Sequence, residues 1–195
     1  MRAFICVVTI LVCAPMAWGQ AITGFVGGSE YDSYYGSLNG DVVGYRFTVT
    51  TALNISSLGV WNNDSNGDGP GLTASHQVGV WDGSQALLAS ATVDPSGIVV
   101  GDWIYTDITP VTLNPGETYT IGAMYLSGDL DSYISSASSM TTVPEITFGG
   151  AVYPFEGELG FVYPTEDSGP TSYGRFGPNF LITDIPVTLM TFTTE

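Results

Sequence analysis

Residues 43–49, Val-Gly-Tyr-Arg-Phe-Thr-Val, place an apolar side chain at every second position. Alternation with period two is the pattern of a β-strand that buries one face and leaves the other exposed. The same rhythm recurs in residues 78–81, 119–125 and 187–192. Apolar residues at helical spacing are missing from residues 20–195, so the chain is predicted to be all-β.

Turn-forming residues separate these alternating stretches. Asp, Asn, Gly, Pro and Ser cluster in six short segments, which are residues 64–71, 82–84, 95–97, 114–116, 127–129 and 168–170. Short strands spaced roughly 8 to 15 residues apart, without helical interludes, are typical of an antiparallel sandwich. We therefore predict one jelly-roll-like antiparallel β-sandwich domain, with the Ser- and Thr-rich residues 132–142 as a long surface connection.

Residues 1–19 have the features of a secretory signal peptide. Arg2 precedes an apolar run over residues 4–13, and small residues stand three positions and one position before Gln20. The run is shorter than the about 20 apolar residues that a membrane-spanning helix needs. We predict cleavage before Gln20, a sandwich domain over residues 20–195 without a membrane-spanning segment, and a secreted, extracellular location.

The charge of the chain excludes several functions. Three arginines and no lysine stand against 19 acidic residues, for a formal net charge of −16. Cleavage would remove Arg2, Cys6 and Cys13, which takes the charge to −17 and leaves no disulfide. Nucleic acids are held mainly by Lys and Arg, so no nucleic-acid partner is expected. Schiff-base chemistry and a phosphate-loop lysine are also excluded, because each needs a lysine amine.

A set of motifs in a fixed order gives the chain a family resemblance. The motifs are Val43-Gly-Tyr-Arg-Phe-Thr-Val49, Ile55-Ser-Ser-Leu-Gly-Val-Trp61, Asn66-Gly-Asp-Gly69, Ser75-His-Gln-Val-Gly-Val-Trp-Asp82, Leu87-Leu-Ala-Ser-Ala-Thr92, Trp103-Ile-Tyr105, Pro110-Val-Thr-Leu-Asn-Pro-Gly-Glu-Thr-Tyr119 and Phe176-Gly-Pro-Asn-Phe180. Together they resemble an uncharacterised β-sandwich domain of exported bacterial proteins, many of which carry a PEP-CTERM (Pro-Glu-Pro) sorting tail read by an exosortase. The resemblance covers roughly residues 40–183 and implies export, a sandwich fold and a surface or matrix setting, without a catalytic residue. No such tail motif follows residues 184–186, so membrane tethering by that route is not expected.

A calcium site is predicted at Asp64, Asn66 and Asp68. Alternating oxygen-bearing side chains followed by a glycine match the first half of a calcium-binding loop. The twelfth position from Asp64 is Ser75 instead of a bidentate glutamate, so the loop is not an EF-hand. Further oxygen donors of suitable kind are Asn62, Asp102, Asp129 and Asp131. The alternative is a turn that satisfies its own backbone.

His76 is the only histidine in the sequence. Zinc sites built from two or more histidines are therefore excluded, and a Ser-His-Asp triad would have to use His76. No Gly-x-Ser-x-Gly motif accompanies it. We predict a structural role, in which a ring nitrogen is hydrogen-bonded to a loop carbonyl or a carboxylate.

Aromatic residues give the chain candidate ligand-binding surfaces. Trp103 is predicted as a platform on which a sugar ring could stack, whereas Trp61 and Trp81 end apolar runs and are expected to pack in the core or at a strand edge. A second group of aromatic residues could line a groove, and it contains Tyr31, Tyr34, Tyr35, Tyr153, Phe155, Phe161, Tyr163 and Tyr173. Tyrosines also simply suit strands.

Three functions follow from these residues. The first is an exported, non-enzymatic interaction or structural module of the cell envelope or extracellular matrix, stabilised by calcium, with extracellular polysaccharide or a matrix protein as partner. The second is a carbohydrate-binding module. The third is a glycoside hydrolase that uses Glu156 and Glu158, which a shared strand face would place side by side instead of across a bond.

Overall fold

The predicted all-β class is confirmed by a computed structural model of the chain. It describes residues 19–32, 41–62, 71–126, 129, 131–154, 160–167 and 174–183, with only the backbone of residues 31 and 32. The strands in these ranges are β1 (Gly19–Gln20), β2 (Ile22–Asp32), β3 (Asp41–Val49), β4 (Leu53–Trp61), β5 (His76–Trp81), β6 (Leu87–Val93), β7 (Ile98–Val100), β8 (Trp103–Leu113), β9 (Thr118–Tyr125), β10 (Ser132–Thr142), β11 (Ile146–Tyr153), β12 (Glu166–Asp167), β13 (Arg175–Phe176) and β14 (Pro178–Ile182). Within the described ranges, no helix has the length and apolar character of a membrane span.

The strands form three antiparallel sheets. A five-stranded sheet has the order β1-β14-β4-β8-β7, and a six-stranded sheet has the order β12-β11-β3-β9-β5-β6. A three-stranded sheet of order β13-β10-β2 accompanies them. Strands β6 and β7 are the last strands of the two larger sheets, and a tight turn over residues 94–97 joins them in sequence.

The core lies between the sheets. Strand β3 shows the predicted alternation, because Val43, Tyr45, Phe47 and Val49 belong to the buried core while Arg46 and Thr48 are partly exposed. Phe47 meets Phe180 of the five-stranded sheet at a ring-centroid distance of 5.2 Å. Each such large apolar side chain stabilises the fold by about 1.5–3 kcal/mol through burial. The two larger sheets are therefore the two layers of a β-sandwich.

The three-stranded sheet shares this core. Phe176 of β13 stacks on Phe25 of β2 at 5.1 Å and approaches Tyr45 of β3 at 6.2 Å. Asn179, which is fully buried, accepts a hydrogen bond from the Ile22 N–H and donates one to the Ile22 carbonyl. The start of β2 is thus fixed to β14 by a side chain that mimics a strand partner.

Three predicted strands are confirmed, and one predicted connection is wrong. The alternating residues 43–49, 78–81 and 119–125 lie in β3, β5 and β9, whereas residues 187–192 lie outside the described residues. Residues 132–142 form strand β10 instead of a surface connection, and they pair with β2 from Ser132 opposite Asp32 to Thr142 opposite Ile22. Their polar composition does not predict a strand. The partner strand lies about 110 residues earlier in the chain, so the local sequence does not reveal the pairing.

Candidate functional site

The histidine lies inside the sandwich at the start of β5. Only 1% of the surface of His76 is exposed. Its Nδ1 lies 2.9 Å from the Met124 carbonyl oxygen on β9, and its Nε2 lies 2.8 Å from Asp131 Oδ2. The contact with Asp131 confirms the predicted carboxylate partner, and the second contact is to a strand carbonyl instead of a loop carbonyl. Each ring nitrogen therefore faces one oxygen atom, which fixes the orientation of the ring.

Asp131 is the centre of this cluster. Its Oδ1 accepts from the Thr73 N–H at 2.7 Å and from the Thr73 hydroxyl at 2.9 Å, and its Oδ2 accepts from the Ala74 N–H at 2.8 Å and from His76. Burial alone would raise the pKa of Asp131, but the hydrogen bonds from His76, Thr73 and Ala74 together lower it. The residue is fully buried as a carboxylate, with donors on both oxygens.

Two tyrosine rings, Tyr125 and Tyr133, pack beside this cluster. The Tyr125 ring lies 4.6 Å from the His76 ring and 5.4 Å from the Tyr133 ring. Burial raises the pKa of Tyr125 well above its ordinary value, and Asp131 and Asp129 add to this effect, so the phenol stays neutral. Gly177 gives the ring its space, since a Cβ at that position would overlap the Tyr125 hydroxyl oxygen.

The cluster joins segments that are far apart in sequence. Asp131 connects residues 73–76 to the start of β10, and His76 connects them to β9. Nearby, the Asn62 side-chain oxygen accepts from the Leu72 N–H at 3.1 Å, so both flanks of residues 63–70 are held. This arrangement has a structural role, because the His76 ring and the Asp131 carboxylate are hydrogen-bonded to each other and are buried from solvent.

The predicted calcium ligands Asp64, Asn66 and Asp68 lie outside the described residues. The structure does place the four additional residues with suitable oxygen atoms, and the Asp102 carbonyl accepts a hydrogen bond from the Asn62 N–H at 2.8 Å. The Asp131 oxygens accept four hydrogen bonds, the Asn62 side-chain oxygen accepts one, and Asp129 accepts from the Leu126 and Asp131 N–H groups. In the part of the chain that the structure describes, no three His, Cys, Asp or Glu side chains are grouped to hold a metal ion.

Trp103 does not present a face to a sugar, and this expectation is corrected. The residue is 1% exposed, and its ring packs against Trp61 at 5.0 Å and Phe25 at 5.8 Å. Sequence reasoning could not see this burial, since the covering ring of Phe25 comes from β2. Trp61 and Trp81 are also buried, so their predicted packing role is confirmed.

An aromatic cluster on the outer face of the six-stranded sheet was not predicted as a unit. This outer aromatic cluster consists of Trp81, Phe161 and Tyr163, with ring centroids 5.2 Å and 6.0 Å from Trp81. The Tyr163 hydroxyl lies 3.2 Å from the Thr120 hydroxyl. Phe161 and Tyr163 are partly exposed. The cluster therefore presents aromatic surface to the solvent on the side of the sheet away from the core.

A row of glycines crosses the sheet beside this cluster, and Gly79 makes room for it. Gly44, Gly122 and Gly79 lie directly opposite one another on β3, β9 and β5. A Cβ at Gly79 would lie 2.7 Å from the Phe161 ring, whereas one at Gly122 would lie 2.6 Å from the Val42 side chain and 3.4 Å from Trp81. The sequence signal was present, because each glycine stands between two core-facing residues of an alternating stretch.

Arg46 fixes the segment that carries the outer aromatic cluster. Its guanidinium donates to the Thr165 carbonyl at 2.9 Å and lies 3.6 Å from the Asp167 carboxylate. The second cation, Arg175, lies over the Tyr153 ring at 4.6 Å. Both arginines thus hold aromatic segments on the sheet surface.

The remaining candidates lie outside the described side chains. Tyr34, Tyr35, Phe155, Tyr173, Glu156 and Glu158 are not described, and Tyr31 is described only by its backbone. The structure therefore brings together Phe161 and Tyr163 from the predicted groove-lining group and separates Tyr153, which packs with Arg175.

One comparison with known proteins gives a match. A family model described as "Domain of unknown function (DUF4082)" matches residues 36–174. These residues include β3 to β12 and hold both the buried His76–Asp131 cluster and the outer aromatic cluster. No curated protein and no solved structure matches the chain.

Proposed function

The chain belongs to the DUF4082 family of unknown function, and from this premise we propose an exported, non-enzymatic interaction or structural module of the cell envelope or extracellular matrix. One observation carries the proposal. The single imidazole of the chain is 1% exposed and is hydrogen-bonded at both nitrogens. A general base must reach a substrate proton, and His76 cannot do so in this position.

The setting of the module rests on the sequence. Residues 1–19 support secretion, and the net charge of −16 favours a soluble domain that does not bind nucleic acid. Anchoring through a PEP-CTERM tail is not part of the proposal. The partners we propose are an extracellular polysaccharide or a matrix protein, which the exposed sheet surfaces would contact.

A carbohydrate-binding module is the second candidate, and the outer aromatic cluster favours it. Partly exposed aromatic rings held on a rigid sheet offer the flat apolar surface that a sugar ring needs. In this version Phe161 and Tyr163 replace Trp103 as the binding residues. The acidic charge of the chain favours a neutral sugar over an anionic one.

Turnover and glycan binding test these functions together. We expect residues 20–195 to produce no hydrolysis of glycosides, esters or peptide amides above the buffer blank. Turnover that disappears in Glu156→Gln or Glu158→Gln, but persists in the control Glu166→Gln, would establish a hydrolase and overturn the proposal. On a glycan array, selective binding lost in Phe161→Ala and kept in Tyr153→Ala would establish the carbohydrate-binding module.

Calcium stabilisation through Asp64, Asn66 and Asp68 belongs to the proposal. The side-chain oxygens of Asn62 and Asp131 already accept hydrogen bonds. The calcium ligands would therefore come from residues 63–70 and from water. Their flanks are held by Asn62 and Asp131, which lowers the entropy lost on binding.

We expect millimolar calcium to raise the melting temperature of residues 20–195 relative to chelator. An ion that binds only the folded state adds about 2.7 kcal/mol at a hundredfold excess over its Kd. The double variant Asp64→Asn/Asp68→Asn should lose this shift, and the control Asp82→Asn, which lies in a separate turn, should keep it. Identical melting curves with calcium and with chelator would rule out the site.

A further inference from the structure

Exposed apolar side chains are concentrated along one edge of the sandwich. Leu87, Leu88, Ile98 and Val99 are 48%, 36%, 47% and 58% exposed. They are four of the six large apolar residues that are exposed in the described part of the chain. A cluster of this kind on a soluble domain marks an interaction surface.

The four residues belong to the two strands that end the large sheets. Within the described residues, β6 is hydrogen-bonded only to β5, and β7 only to β8. Both strands therefore have one side where backbone N–H and C=O groups lack a strand partner. An exposed edge of this type is a template for an added strand.

Strand β6 carries only one of the features that usually protect an edge, a single β-bulge at Leu88. Natural edge strands are blocked by lysine, proline, inward-pointing charges or β-bulges. Strand β6 reads Leu-Leu-Ala-Ser-Ala-Thr-Val and β7 reads Ile-Val-Val, without a charge or a proline in either. Val80 pairs with Ala89 and Trp81 with Leu87, so the extra residue of the bulge is Leu88, and residues 89–93 pair regularly with β5.

Carboxylates stand at both ends of β6. Asp82 lies in the turn before the strand and Asp94 directly follows it. Hydrogen bonds from the side chain of Ser84 and the backbone of Ala86 lower the pKa of Asp82, and hydrogen bonds from Ser96 lower the pKa of Asp94. Both groups are therefore anions at neutral pH, at a separation of one strand length.

The charge selects the partner. A second copy of this chain carries a net charge of −16 and would be repelled at close approach. An extended segment with Lys or Arg at its ends would be attracted to Asp82 and Asp94, and apolar side chains of that segment would contact the exposed leucines of β6. The seven residues of β6 span about 24 Å at roughly 3.4 Å per residue, which a peptide of similar length can match.

We propose that the β6 edge binds an extended, basic-ended segment of a matrix or envelope protein by strand addition. This inference rests on the proposed interaction module and specifies the class of its partner. Backbone hydrogen bonds to β6 provide affinity, and the flanking carboxylates provide selectivity for cations.

The test uses residues 20–195 and synthetic peptides. The first peptide alternates valine and threonine between terminal lysines, the second has glutamates in place of the lysines, and the third has a central proline. We expect saturable binding of the lysine peptide, at least tenfold weaker binding of the glutamate peptide, and no binding of the proline peptide. Hydrogen exchange should show slower exchange of the β6 amides in the complex, and added salt should weaken binding.

Variants locate the binding site. The double substitution Leu88→Lys/Val99→Lys should weaken binding of the lysine peptide at least tenfold, because it adds cations and removes apolar surface at the edge. The control Val26→Lys replaces a 59% exposed residue on β2 and should leave binding unchanged. Asp82→Asn/Asp94→Asn should weaken only the lysine peptide.

Three results would overturn strand addition. One is equal binding of the lysine and glutamate peptides, another is binding without protection of the β6 amides, and the third is a concentration-dependent dimer that protects β6. Glycan binding without peptide binding would overturn strand addition and leave the interaction module standing. Catalytic turnover would overturn both.

Discussion

Replacing Asp131 with alanine is expected to lower the free energy of unfolding by about 3–5 kcal/mol, because each buried donor left without an acceptor costs about 1–3 kcal/mol. The variant would leave the His76 Nε2–H, the Thr73 N–H and the Ala74 N–H without their acceptor in a water-free site. Such a loss is a large fraction of the 5–15 kcal/mol typical of domains. Urea denaturation of residues 20–195 measures it.

Two controls separate the cluster from a general effect of removing a carboxylate. Asp94→Ala removes a carboxylate that caps an exposed turn, and it should produce a much smaller change. In a double-mutant cycle, His76→Ala and Asp131→Ala should couple by about 0.5–3 kcal/mol, as expected for residues in contact. Additive effects would show that the His76–Asp131 contact does not stabilise the fold.

Acid denaturation provides a second readout of Asp131. Its pKa is lower in the folded state than in the unfolded state, so its contribution is complete above the unfolded value of about 3.9. The contribution is lost as the pH falls through the folded pKa. The stability difference between wild type and Asp131→Ala should therefore shrink below about pH 4. A difference that stays constant over this range would contradict the assigned ionisation.

Replacing Gly44 with alanine is expected to lower stability by at least about 1–3 kcal/mol, the range for overpacked sites. The added Cβ would overlap the Ile121 carbonyl oxygen and approach the Gly122 Cα at 2.8 Å. These are backbone atoms of β9, so no side-chain rotation relieves the contact. The pairing of β3 with β9 must then shift, at the centre of the six-stranded sheet.

Thermal melting compares this variant with Gly24→Ala on β2. A Cβ at Gly24 meets nothing within 4 Å in the described structure, so that substitution should be nearly neutral. Because Gly44 lies opposite Gly122, the displaced strand should also disturb the outer aromatic cluster and change tryptophan fluorescence from Trp81. Equal melting temperatures for the two variants would contradict the assigned close approach of β3 and β9.

The candidate site shows where prediction from the sequence reaches its limit. His76 was expected to contact a carbonyl or carboxylate, because a lone histidine at the start of a strand has no catalytic partner in its motif. The sequence did not identify which carboxylate it would be, and Asp131 was named only as a possible calcium ligand. It lies 55 residues away in sequence, and the fold alone brings it to His76.

The aromatic residues show the same limit. The apolar residues before Trp61 and Trp81 correctly predicted that these side chains are packed. For Trp103 the local sequence predicted an exposed ligand platform, and this prediction was wrong. Phe25 and Trp61 cover Trp103 from other strands. Exposure of a side chain depends on what lies above it, and that neighbour is set by sheet topology.

The amino-acid sequence by itself determined the all-β class, the position of β3, β5 and β9, and the turns between several strands. These features follow from side-chain alternation along a strand and from the backbone preferences of Gly, Asn, Asp and Pro, both of which are local. The tertiary structure alone decided that residues 132–142 form a strand, that Asp131 pairs with His76, and that β6 and β7 end the two sheets. Each of these depends on contacts between residues tens of positions apart, whose pairing is selected by the packing of the whole core.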